Sequence, residues 1–197
     1  MSHSTSRIVR EVAAHTHVGI KRSENEDRVL VADLEAAAGH VGAFTGRMEV
    51  GGGGALLAVC DGMGGEAGGE VASTTAVQSL YRAAVDALPG QNPTGAARGL
   101  LEAVRTASHD IETLAQQHTE LSRMGTTATV CAVTQQTLLV AQVGDSRAYL
   151  LRRRTLRTAH ARPDPGHAVA GARPADSRST RKLRIQPRHP PGPRPRW

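Results

Sequence analysis

Val59-Cys60-Asp61-Gly62-Met63-Gly64-Gly65-Glu66-Ala67-Gly68-Gly69-Glu70-Val71-Ala72-Ser73 is the stretch on which the fold turns. It closes a continuous apolar run, Ala55 to Cys60, whose length suits a buried strand. An Asp-Gly and a cluster of glycines follow, which signal a turn. Helical spacing then begins: Val71, Thr74, Thr75, Gln78 and Leu80 precede Tyr81, Val85 and Leu88, and Pro89-Gly90 ends the pattern. The stretch therefore reads as strand, acidic turn, helix.

Working outward, Arg7 to Val18 and Val29 to Ala32 read as strands, with a polar loop from Lys21 to Asp27 between them. Residues 36–54, rich in Gly and Ala, read as a flexible hairpin connection. A second helix is expected over Ala96 to His118, with Leu100, Leu101, Val104, Ile111 and Leu114 on one face and its start at Asn92-Pro93-Thr94. Thr126 to Val133, Leu138 to Val143 and Arg147 to Leu151 read as strands. Strands, two helices and further strands make an α+β layered domain.

The charge is unevenly placed. Residues 1–151 hold 11 Lys and Arg against 16 Asp and Glu, a net −5, whereas residues 152–197 hold 13 against 2, a net +11. The tail also carries 8 of the 10 prolines and shows no apolar periodicity. It is expected to be disordered, because it cannot bury enough surface to offset the entropy of ordering it. No apolar run reaches transmembrane length, and the first ten residues lack the apolar centre of a secretory signal. A cytoplasmic protein is expected. Cys60 and Cys131 sit in apolar runs without CxxC spacing and read as buried, reduced thiols. The nine histidines show no HExxH-type spacing. Nucleic-acid binding through the basic tail is disfavoured, since Trp197 is the tail's one aromatic residue.

Three segments place acidic groups beside strands: Arg22-Ser23-Glu24-Asn25-Glu26-Asp27, Asp61-Gly62-Met63-Gly64-Gly65 and Gly144-Asp145-Ser146-Arg147. Oxygen donors of this kind suit hard divalent ions such as Mg²⁺ and Mn²⁺. Taken singly, Asp-Gly is ordinarily a turn and Asn-Glu-Asp a solvated loop. The glycine cluster lacks the Gly-Lys-Ser/Thr ending of a P-loop.

Taken in order, RSENEDR at 22–28, VCDGMGGEAGGEVAS at 59–73, MGTTATV at 124–130 and VGDSRAYLLR at 143–152 resemble the type 2C family of metal-dependent serine/threonine protein phosphatases. The resemblance runs from about Val12 to Arg153, with Glu66 standing where relatives often have His. It implies a four-layer α/β/β/α sandwich, here incomplete, in residues 1–155. By position it implies that Asp61 bridges two Mn²⁺ or Mg²⁺ ions, that the Gly62 carbonyl binds one of them, and that Glu26 and Asp27 bind metal directly or through water. Arg22 would grip the substrate phosphate, and Asp145 would support a weaker metal position. The implied reaction is hydrolysis of phosphoserine and phosphothreonine in proteins, opposing serine/threonine kinases, by a monomeric enzyme that uses neither nucleic acid nor membrane.

The resemblance also leads one to expect two downstream aspartates, in Ser-Asp-Gly and Gly-Gly-x-Asp-Asn segments, and neither segment occurs in this sequence. Codons exist for residues 159–194 that, read one base later, spell a continuation of the family pattern. Residues 156–197 are accordingly read as out-of-frame translation, and the chain as a truncated phosphatase of weak or no activity. The alternative is a non-catalytic fragment that binds phosphoproteins.

Overall fold

The computed structural model describes residues 8–64, 68–135, 137–159, 169–174 and 182–184. In chain order the elements are β1 (Ile8–Ala14), β2 (Asp27–Asp33), β3 (Ala38–Val41), β4 (Phe44–Val50), β5 (Ala55–Met63), α1 (Gly68–Ala87), α2 (Pro93–Gln117), β6 (Gly125–Thr126), β7 (Ala128–Val133), β8 (Thr137–Val143), β9 (Tyr149–Arg152), β10 (Thr155–Thr158), β11 (Val169–Pro174) and β12 (Lys182–Arg184).

The main sheet runs β12-β11-β8-β7-β5-β2-β3, with β6 paired to β5. Strands alternate faces, so each cross-strand pair shares a face. Leu30, Ala32, Leu56, Ala58, Cys60, Val130, Ala132, Leu139 and Ala141 lie in one cluster with α1 and α2. Helix α1 meets them through Ala76, Leu80 and Ala84, spaced every four residues along one stripe. Helix α2 contributes Ala96, Leu100, Ala103, Val104 and Ala107. Its start is fixed by Asn92, whose side chain accepts from the Gly95 amide at 2.9 Å, with Pro93 as the first helical residue. Between the helices, the Ser79 hydroxyl donates to Asp110 at 2.5 Å.

The opposite face carries the register pairs Asp27↔Asp61, Val29↔Val59 and Val31↔Leu57. Val29, Val31 and Val140 are buried there outside the helix-side cluster. Strands β1 and β4 pair as a separate two-stranded sheet that contacts β2, the part of a second sheet layer seen among the described residues. Cover is partial, for Val59 remains 44% exposed. The α+β class expected from the sequence is the one observed, with one helical layer among the described residues.

Several boundaries differ from expectation. Residues 36–54 are not a flexible connection but hold β3 and β4, with turns at Ala37 (φ 49°) and Gly42 (φ 113°). In β4, Phe44, Gly46, Met48 and Val50 alternate with exposed neighbours, a period-2 pattern that glycine content disguises. Asp61 and Gly62 belong to β5 rather than to a turn, and the chain bends at Gly64 (φ 140°). The division placed at residue 155 falls at the start of β10, inside the β9–β10 hairpin.

Tail segments β11 and β12 lie in the main sheet, against the disorder expected of them. Without β11, strand β8 would present a row of unpaired main-chain groups on its outer edge, and such an edge recruits any extended segment within reach. The rest of the tail, residues 160–168, 175–181 and 185–197, lies outside the described residues. Cys60 and Cys131 are free thiols, as read from the sequence. Burial pushes their pKa values up to about 12 and about 11. No helix among the described residues is long and apolar enough to cross a membrane.

Candidate functional site

The first two acidic segments meet where β2 begins and β5 ends. Antiparallel pairing sets Asp27 directly opposite Asp61 on the face away from the helices. Residues so placed have β-carbons only about 5 Å apart. Partial burial and then the Asp61 carboxylate push the Asp27 carboxyl above its ordinary pKa, while the Arg22 guanidinium pulls it the other way.

The main chain around this pair is held from several sides. The Asp61 amide donates to the Thr127 hydroxyl at 3.1 Å. The Asp61 carbonyl accepts from the Thr127 amide and from the Thr126 hydroxyl, each at 2.9 Å. The Glu26 carbonyl accepts from the Gly62 amide at 3.2 Å and from the Ser73 hydroxyl at 2.6 Å. Gly62 is buried in extended backbone, so its role is close approach rather than a sharp turn. A β-carbon there would overlap the Gly69 carbonyl of α1 and stand 2.7 Å from the Glu26 carbonyl oxygen.

Glu26 and Arg22 form an ion pair at 2.9 Å, with side chains 13% and 67% exposed. Both are thus near the Asp27–Asp61 pair but engaged with each other. Asp145 follows Gly144 (φ 90°) in the turn after β8 and is exposed. Its neighbour Ser146 shares a 3.0 Å hydroxyl contact with Thr127, which links the third segment to the second. Thr126, Thr127 and Arg28 support the site without having been singled out from the sequence. The threonines lie within the quoted MGTTATV segment, which was their one visible signal.

Among the described residues, no three His, Cys, Asp or Glu side chains are grouped to hold a metal ion. The donor set nevertheless fits a hard divalent cation. Two opposed carboxylates repel each other, and a cation between them removes that repulsion.

A pH dependence follows. The folded-state pKa of Asp27 is raised, so folding takes up a proton between the unfolded value near 3.8 and the raised one. Through that window the metal-free protein gains stability as pH falls. Asp27→Asn is expected to remove this gain. Urea unfolding of both proteins at pH 7 and near pH 4.5 checks it, and equal pH responses would contradict it.

The sequence matches the protein phosphatase 2C family over residues 43–186, a span that passes residue 155 and enters the tail. It is 34% identical over 146 residues to the serine/threonine protein phosphatase PstP of Mycobacterium tuberculosis, covering 74% of this chain and 23% of that protein. It is 33% identical over 102 residues to the serine/threonine phosphatase stp of Listeria monocytogenes, covering 52% of this chain and 40% of that protein. A crystal structure of the PstP catalytic domain in complex with two manganese ions superposes with a TM-score of 0.58 at 32% identity. That superposition covers 78% of this chain and 56% of that one. The chain thus spans less than half the length of these curated relatives. With its layered sheet and its two opposed aspartates, the chain belongs to the protein phosphatase 2C family.

Proposed function

We propose that this chain carries part of the catalytic face of a phosphatase acting on phosphoserine and phosphothreonine in proteins. The observation that carries the reading is the Asp27↔Asp61 pair across β2 and β5. Asp61 and Asp27 would hold Mn²⁺ or Mg²⁺, two ions per site, with the Gly62 carbonyl and Asp145 as further ligands. Glu26, now paired with Arg22, would join them by giving up that ion pair. The freed guanidinium then takes two oxygens of a phosphoryl group through its planar fork and neutralises their charge. A bound divalent ion supplies the acidity that turns a water molecule into a nucleophile near neutral pH. Ser73 donates its hydroxyl proton to the Glu26 and Glu70 carbonyls and is a structural group rather than a nucleophile.

In this chain turnover is expected to be weak or absent, because Glu26 must first give up Arg22 and, among the described residues, no three-group cage stands ready. The same observation favours a second reading, phosphoprotein binding without hydrolysis.

The test has two arms. At a Mn²⁺ concentration about 100-fold above Kd, stabilisation of about 2.7 kcal/mol is expected. For a domain of this size that is roughly 5–10 °C in Tm. Hydrolysis of p-nitrophenyl phosphate and of a phosphoserine peptide is measured on the same sample. No Mn²⁺ shift would overturn the metal site, and turnover equal to a full-length relative's would overturn the weak-activity reading.

A further inference from the structure

Three consecutive main-chain carbonyls underlie the acidic segment, and each has a donor. The Glu26 carbonyl is held by Ser73 and Gly62. The carbonyls of Asn25 and Asp27 are both held by one side chain, Arg28, whose Nη1 donates to them at 2.8 and 2.9 Å. Its other terminal nitrogen, Nη2, donates to Glu70 Oε1 at 2.6 Å.

Arg28 pairs with Cys60 in the sheet register, which puts its side chain on the helix face, opposite to Asp27 and Asp61. It is 22% exposed and does not approach the site from the substrate side. Glu70 lies in the first turn of α1, where a carboxylate is favoured by the helix dipole. The guanidinium therefore spans two carbonyls of the acidic segment and the first turn of the helix that packs against Gly62.

We propose that Arg28 is a positioning residue: by tying the backbone beneath Glu26 and Asp27 to Glu70 of α1, it fixes where the Asp27 carboxylate stands relative to Asp61. The proposal rests on the reading that this pair takes a divalent cation. A planar fork suits the task, because three acceptors lie in different directions around one group. An ammonium at the same place has its donors on a single atom.

The sign of the effect separates positioning from simple charge. Removing a cation beside an acidic site strengthens Mn²⁺ binding if charge alone matters. Removing a positioning residue weakens it.

The experiment measures Mn²⁺ affinity by calorimetry, with the metal-free Tm of each variant recorded beside it. Arg28→Met, which keeps reach but loses charge and donors, is expected to bind Mn²⁺ about ten-fold more weakly, as for other groups that orient metal ligands. Arg28→Lys is expected to fall between, roughly three-fold weaker than the parent. Parent-like or tighter binding by Arg28→Met overturns the proposal. If that variant does not fold, Arg28→Lys decides, and unchanged affinity there overturns it. A parent that binds Mn²⁺ regardless of Asp61 removes the metal reading and this proposal together. A parent that needs Asp61, with Arg28 variants of unchanged affinity, removes this proposal alone.

Discussion

Asp61→Ala is expected to abolish the Mn²⁺-induced rise in Tm, a loss of roughly 5–10 °C at saturating metal, while leaving the metal-free protein at least as stable as the parent. The two halves of this expectation come from different atoms. Main-chain groups of Asp61 make the structural hydrogen bonds, to the Thr127 hydroxyl, the Thr127 amide and the Thr126 hydroxyl. Its side chain is exposed and faces Asp27, whose pKa it raises. Truncation to alanine therefore removes a repulsive charge and a metal donor, and keeps the scaffold. Asp33 is a poor control. It ends β2, and its Oδ1 accepts from the amides of Glu35 and Ala36 at 2.9 and 3.0 Å. Asp86, exposed on α1, is the better comparison. Thermal melts of parent, Asp61→Ala and Asp86→Ala with and without Mn²⁺ decide the matter. Equal Mn²⁺ shifts in the two variants would take Asp61 out of the site.

How much of this was legible in the sequence depends on the kind of interaction. The helices were legible because propensity, capping and apolar spacing agree: Asn92-Pro93 starts α2 and Pro89-Gly90 follows α1. Asp61 and Asp27 were legible as candidates from their motifs. Their register was not, because nothing local in either strand states which residue of the other it faces. Strands β3 and β4 were hidden by their composition, since glycine and alanine carry little strand signal even where burial alternates. The engagement of Glu26 with Arg22 was open to a reader as an i,i+4 pair of opposite charge. Arg28 was the hardest case. It is the last residue of the RSENEDR segment, is not acidic, and acts through main-chain carbonyls that the sequence does not display.

Gly62→Ala is expected to destabilise the protein by about 3 kcal/mol, at the upper end of what overpacking a tight interior costs. In a domain of this size that corresponds to a Tm lower by roughly 6–12 °C. The cause is not backbone freedom, because Gly62 is not among the positive-φ glycines and lies inside β5. The cause is proximity. A methyl at Gly62 would run into the Gly69 carbonyl and stand 2.7 Å from the Glu26 carbonyl oxygen. Both obstacles are backbone, so no rotamer change makes room, and either α1 or the acidic segment must shift. Gly69 faces the same segment with more room to adjust, since a β-carbon there would lie 2.6 Å from the Glu26 side-chain carboxyl carbon, which can move, and 3.0 Å from the Gly62 carbonyl carbon. Close approach of α1 to β5 is therefore what presses the Glu26 segment against Asp61. A shift should reach the metal site as well as the core, and Mn²⁺ affinity should fall with stability. Gly52→Ala is the matched control, because a β-carbon at Gly52 meets nothing within 4 Å and its φ is not positive. Urea unfolding of both variants is the measurement. Gly62→Ala within about 0.5 kcal/mol of Gly52→Ala, the range of a neutral surface change, would mean that α1 yields freely and does not set the position of Glu26.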